Sequence, residues 1–131
     1  MPPSPHIAVL RSPLGRARGL GSARTGSHHW WSQRLTAIAL VPLTLWFIFS
    51  VIHLSGATRQ TVDSWLSSPL TLGLMLALII ATFHHLQLGV QVVVEDYVHD
   101  ERAKMGAVLA VRALCILLAL VCIVSVLKIG L

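Results

Sequence analysis

Three long apolar stretches constrain this chain more than anything else in it. They run over Leu35–Leu54, Leu70–Val94 and Gly106–Ile129. Each is near or above the ~20 residues that a membrane-spanning helix requires. Of the 131 residues, 55% are hydrophobic and only 11% are charged, fewer charges than an ordinary soluble domain carries. The pattern predicts an all-α membrane protein with three transmembrane helices and little soluble mass. The length suits one domain.

The charges predict an orientation. Arg11, Arg16, Arg18, Arg24 and Arg34 precede the first span, and no acid occurs before Asp63. The first connection carries Arg59, and the C-terminal end carries Lys128. The second connection carries Arg102 and Lys104, with Arg112 close by near the start of the third span. Arg112 and Lys128 are placed to snorkel to the interface. Lys and Arg thus divide eight to two between the two sides. The positive-inside rule puts the N-terminus and second loop in the cytoplasm. No basic patch sits on a soluble fold, so no nucleic-acid partner is expected.

Residues 1–27 are rich in Gly, Ser, Pro and Arg, and they lack both acids and a long apolar run. They do not form a secretory signal. Their composition fits a basic flexible arm near anionic lipid or a partner, with a mitochondrial transit peptide as the alternative. Residues 28–131 form the expected anchor domain. Trp30 and Trp31 read as interface anchors and Ser32 as a helix N-cap. Pro42 is expected to kink the first helix, Ser55-Gly56 to end it, and Pro69 to open the second. Cys115 and Cys122 suit packing rather than a disulfide framework. No phosphate loop, paired catalytic carboxylates or nucleophile triad is present.

The second span carries the chemistry: Thr82, His84, His85, Gln87, Gly89 and Gln91, then Asp96-Tyr97 where the apolar run meets water. An ionisable side chain within a span is a functional-site candidate. Eleven residues from His85 to Asp96 make almost three turns, placing both on one face ~16 Å apart. Gly89, one turn after His85, leaves room for a flat cofactor or for a closely packed helix. His85 has three roles open to it: metal or haem ligand, proton relay, or hydrogen-bonded packing residue. His84 points about 100° away and suits a helix neighbour or a haem propionate.

A haem with two imidazole ligands needs a second histidine at the depth of His85. Counting the first helix from Arg34 puts that depth near Trp46; counting the third from Met105 puts it near Cys115 and Ile116. Neither offers a histidine, so the second ligand would come from another chain. Arg34 serves topology, or pairs with haem carboxylates through its planar fork. Asp96 and Tyr97 either cap and anchor the helix or serve a quinone, the hydroxyl donating to a carbonyl and the acid handling protons.

These residues resemble a known family. His85, ten intervening residues, Asp96-Tyr97, Gly89 four after the histidine, and Arg34-Leu35-Thr36-Ala37 opening the first of three spans are similar to the small D-type membrane anchors of succinate dehydrogenase, respiratory complex II. The resemblance covers about residues 28–131. It implies three transmembrane helices forming half of a helical bundle, completed by a second, C-type cytochrome b anchor subunit. It implies that His85 ligates the iron of haem b opposite a histidine of that partner, with Arg34 on the propionate side and His28 nearby. Tyr97 and Asp96 would then lie at the ubiquinone site. The iron–sulfur subunit and the flavoprotein would hold the iron–sulfur clusters and FAD, and succinate oxidation would belong to those chains. This chain would be a non-catalytic anchor in a bacterial inner membrane, with the mitochondrial inner membrane as the alternative. A haem-free structural anchor, the anchor of a related fumarate reductase, and a small proton-conducting subunit using His84, His85 and Asp96 are the competing readings.

Overall fold

A computed structural model describes residues 12–14 and 25–131. Most of the basic arm expected over residues 1–27 lies outside the described residues. Four helices follow in order: α1 (Thr25–His53), α2 (Arg59–Leu66), α3 (Pro69–Tyr97) and α4 (Glu101–Gly130). No strand occurs among the described residues. Three of the helices, α1, α3 and α4, are long and apolar enough to cross a membrane. At 29 or 30 residues each is ~44 Å long, more than a ~30 Å hydrocarbon core needs. Their ends therefore reach into the headgroup layers.

The helix boundaries follow from local chemistry. Helix α1 ends at His53, and the chain turns through Gly56 at φ +80°, a conformation glycine adopts without a Cβ penalty. Helix α2 starts at Thr58, whose hydroxyl accepts from the Thr61 amide. In the sequence this segment reads as a connection, because a polar eight-residue helix carries no membrane-spanning signal. Pro69 opens α3 at a position where its missing N–H costs nothing. Asp100 caps α4 by accepting from the Ala103 amide at 2.8 Å, and Lys104 pairs with Glu101 at 3.1 Å.

Two local expectations differ from the structure. Ser32 is no N-cap, because α1 already begins at Thr25 and Ser32 sits two turns inside it. Nothing between Gly26 and Trp31 breaks a helix, so the helix extends beyond its apolar run. Arg112 is not near the start of its helix: α4 begins at Glu101, so Arg112 lies eleven residues and ~16 Å inside. Helix α1 also runs through Pro42 as one element. Thr36 and Thr44 satisfy their hydroxyls against the preceding turn, on the Ser32 and Leu40 carbonyls.

Helix α3 is the centre of the molecule. It packs against α1 and against α4, whose backbones do not come close to each other. The short α2 leans on α3 and on α4. Trp65 of α2 also stacks on Trp46 of α1, ring centroids 5.9 Å apart. This arrangement buries little: Leu66, Leu78, Leu88 and Cys115 are the buried apolar side chains among the described residues. Ile38, Phe49, Leu109 and Val124 stand exposed, as suits surfaces that meet lipid or another chain.

Candidate functional site

The site is built on the seam between α1 and α3. His85 Nδ1 lies 3.0 Å from the Thr36 hydroxyl. That hydroxyl also faces two carbonyls of its own helix, Ser32 at 2.8 Å and Gln33 at 3.1 Å. A threonine has one proton to donate. If it goes to the Ser32 carbonyl, the closer of the two, the oxygen is left to accept from Nδ1–H. The imidazole is then the tautomer whose Nε2 carries a bare lone pair, and Nε2 has no protein partner among the described residues. This proton placement is assigned from the hydrogen-bond network. It leaves a half-buried histidine oriented by one nitrogen and able to ligate through the other.

Thr36 also corrects the depth count. The residue of α1 level with His85 is Thr36, not Trp46. The reason is the longer helix. His85 is twelve residues from the end of α3 at Tyr97, and Thr36 is eleven from the start of α1 at Thr25. Counting from Arg34 slid the level down by nearly three turns. On α4 the level stays at Cys115 and Ile116, which line one cavity with His84 and Gln87, in keeping with Gly130 packing on Leu72 at the other end of the same pair. The inference drawn from the count survives. No histidine of α1 or α4 stands level with His85: His28 and His29 lie about two turns above Thr36, and His53 almost five turns below.

Gly89 lies one turn from His85 towards Tyr97. A Cβ built there would meet only the Gln33 amide nitrogen, at an ordinary 3.7 Å. Packing of α3 on α1 therefore does not demand glycine. Beside it the Gln33 side-chain oxygen is buried without a hydrogen-bond partner. A glycine in ordinary contact with Gln33, an unpartnered buried oxygen and a histidine with a spare nitrogen thus share one stretch of the seam.

The other candidate residues are placed as follows. Arg34 is exposed, its guanidinium 5.5 Å from the Trp30 ring centre. It is two residues from Thr36 and so leaves α1 on nearly the opposite side. It is close to His85 in height but does not touch it. Asp96 and Tyr97 end α3, and both are exposed, Tyr97 at 79%. Neither makes a side-chain hydrogen bond among the described residues, which leaves both free for a molecule outside the chain. His84 is exposed and lines a groove shared by α1, α3 and α4. Among the described residues no group of three or more His, Cys, Asp or Glu is arranged to hold a metal. Any iron here would rest on His85 and on ligands from elsewhere. Sequence reasoning passed over Thr36 and Gln33 as partners of the second span; a depth count from the start of α1 would have found both.

Comparison with known proteins places this architecture. Residues 9–119 match the succinate dehydrogenase/fumarate reductase transmembrane subunit family. The succinate dehydrogenase hydrophobic membrane anchor subunit of Rickettsia bellii is 34% identical over 117 residues, 89% of this chain and 94% of that protein. The succinate dehydrogenase membrane anchor subunit of Reclinomonas americana is 31% identical over 96 residues, 71% of this chain and 80% of that one. The hydrophobic membrane anchor subunit of Paracoccus denitrificans is 26% identical over 100 residues, 76% and 78% of the two chains. No solved structure matches this chain.

Proposed function

This chain belongs to the succinate dehydrogenase/fumarate reductase transmembrane subunit family, and on that premise we propose that it is the hydrophobic membrane anchor of a succinate dehydrogenase, holding haem b with a second anchor subunit and contributing to the ubiquinone site. The observation that carries the haem half is the Thr36–His85 bond, which ties Nδ1 and leaves Nε2 for iron. The donor set fits the group: a neutral imidazole is a good ligand for haem iron, and a hydrogen bond on its other nitrogen is the usual means of orienting it. The unpartnered Gln33 oxygen and Gly89 lie beside it. Arg34, at similar height and free of any acid, suits the propionate carboxylates. When bound, the haem supplies a one-electron redox centre within the bundle.

The chain's own residues divide the remaining work. Thr36 holds the ring of His85. Tyr97 offers its hydroxyl to a quinone carbonyl, and Asp96 beside it can take or deliver a proton at the carboxylate. The apolar outer surface of α1 and α4 keeps the assembly in the bilayer. The second anchor subunit supplies the other imidazole. The iron–sulfur subunit and the flavoprotein with FAD dock on the side of the N-terminus, read as cytoplasmic in a bacterial inner membrane by the charge asymmetry. The relatives compared above are named for succinate dehydrogenase, which favours that enzyme over a fumarate reductase.

The test is the absorption spectrum of the purified complex. A low-spin, two-imidazole haem is expected in the native protein and should be lost or converted to a five-coordinate form in His85→Ala, with the subunits still co-purifying. A native complex free of haem, or an unchanged spectrum in the variant, would leave His85 a packing residue and the chain a structural anchor.

A further inference from the structure

We propose a second binding site in this chain: the groove between α1, α3 and α4 takes the phosphodiester headgroup of an anionic phospholipid, with an acyl chain in the slot below. The groove encloses about 430 Å³ and is lined by His28, His29 and Ser32 of α1, Gln91 and Glu95 of α3, and Arg112 of α4. It is lined by His84 rather than His85, and it borders the haem seam at Ser32, whose carbonyl accepts from Thr36.

Arg112 sets the charge of the ligand. It stands ~16 Å inside a spanning helix, where a permanently charged guanidinium is costly unless partnered. Yet it makes no hydrogen bond or ion pair among the described residues, whose two ion pairs are Arg59–Asp63 and Lys104–Glu101. The Nε2 atom of His29 is likewise buried with no partner. A guanidinium and three imidazoles facing one cavity call for an anion with several acceptor oxygens. Glu95 is the one acid in the lining; it is exposed and accepts from the Gln91 amide at 2.8 Å. Its charge disfavours a dianion, so a singly charged phosphodiester suits the groove better than inorganic phosphate.

The shape sets the rest. His84 and Gln87 line this groove and also a second cavity of about 140 Å³, bounded below them by apolar Phe83, Ile116 and Ala119. A polar chamber opening towards the helix ends, continued into an apolar slot deeper along the α3–α4 seam, is complementary to a headgroup joined to a hydrocarbon tail. A quinone has the same outline but no negative charge to answer Arg112.

The experiment uses the intact complex as purified. It is washed extensively in detergent and its retained lipids and quinones are measured by mass spectrometry, for the native protein, Arg112→Gln, Arg112→Lys and Ala119→Phe. Enrichment of anionic over zwitterionic phospholipid is expected in the native complex. It should fall at least fivefold in Arg112→Gln and in Ala119→Phe, which fills the slot, and largely persist in Arg112→Lys. Added phosphatidylglycerol, but not inorganic phosphate, should raise the melting temperature of the washed native complex. Subunit ratio and haem absorbance should stay native in all variants, which separates loss of this site from loss of the haem site. Equal retention in native, Arg112→Gln and Ala119→Phe would overturn the proposal. So would stabilisation by inorganic phosphate alone, or retention of a quinone in place of the lipid. Should Arg112→Gln fail to assemble, the native enrichment and Ala119→Phe decide the matter alone.

Discussion

At the residue scale, the site turns on which nitrogen of one imidazole is occupied. The sequence made His85 conspicuous because a histidine in an apolar span must have a reason to be there. It gave no hint that Thr36 is its partner, since a threonine hydroxyl in a spanning helix can be satisfied by its own preceding turn. The structure shows it doing both jobs, one bond to its own helix and one to the imidazole. Thr36→Val keeps the shape and removes the oxygen. Loss of an outer hydrogen bond of this kind typically costs ~10–100-fold in metal affinity, so Thr36→Val should still assemble but lose haem more readily and show altered ligand-field spectra. Thr36→Ser should restore both. Native haem retention and spectra in Thr36→Val would show that the bond orients nothing. Tyr97 is the matching case at the rim. Its exposed hydroxyl has no partner among the described residues, so Tyr97→Phe should slow quinone reduction ~10²–10⁴-fold, the scale of a lost proton-donating group, while dye reduction by the soluble subunits survives. Equal loss of both activities would point to assembly instead.

At the element scale, the three spans were legible because twenty apolar residues in a row have few other uses. Their ends were not. The helices run past the apolar stretches at both ends, since headgroups and water tolerate helix as well as lipid does. That extension made the depth count fall at Trp46 instead of Thr36, and made Arg112 look peripheral. Helix α2 was also missed, and it is held by unusually close packing. A Cβ on Gly130 would lie 2.8 Å from Leu72 Cδ1 and 3.2 Å from the Leu66 carbonyl. The leucine tip can rotate, but the carbonyl belongs to the buried end of α2. Gly130→Ala should therefore already strain the carbonyl contact, and Gly130→Val should cost more, ~1–3 kcal/mol, the range for overpacking, or be relieved by releasing α2. Either outcome should lower the melting temperature or speed proteolysis between residues 54 and 58. A valine variant native in both would mean that the end of α4 simply frays away from the contact.

At the scale of the whole molecule, α3 stands in the middle and pairs with both α1 and α4. The groove of Arg112 is lined by residues of all three helices. His85 and Gly89 meet α1 at Thr36 and Gln33. No second histidine stands level with His85 in α1 or α4, so two-imidazole ligation is beyond this chain acting alone. The sequence already implied as much, and the corrected register agrees: Thr36 faces His85 from α1, and the α4 level at Cys115 and Ile116 holds no histidine. The chain produced without any partner should therefore insert in the membrane as a helical protein, by circular dichroism, yet hold no stoichiometric six-coordinate haem. Co-production with the second anchor subunit should restore the six-coordinate spectrum, and replacing the histidines of that partner one at a time should identify the missing ligand. A six-coordinate spectrum from the chain alone would require either two copies sharing one haem, which cross-linking would show as a dimer, or a ligand that is not histidine. A monomer with that spectrum would sink the shared-site reading, because the geometry of α1 and α4 leaves no imidazole within reach.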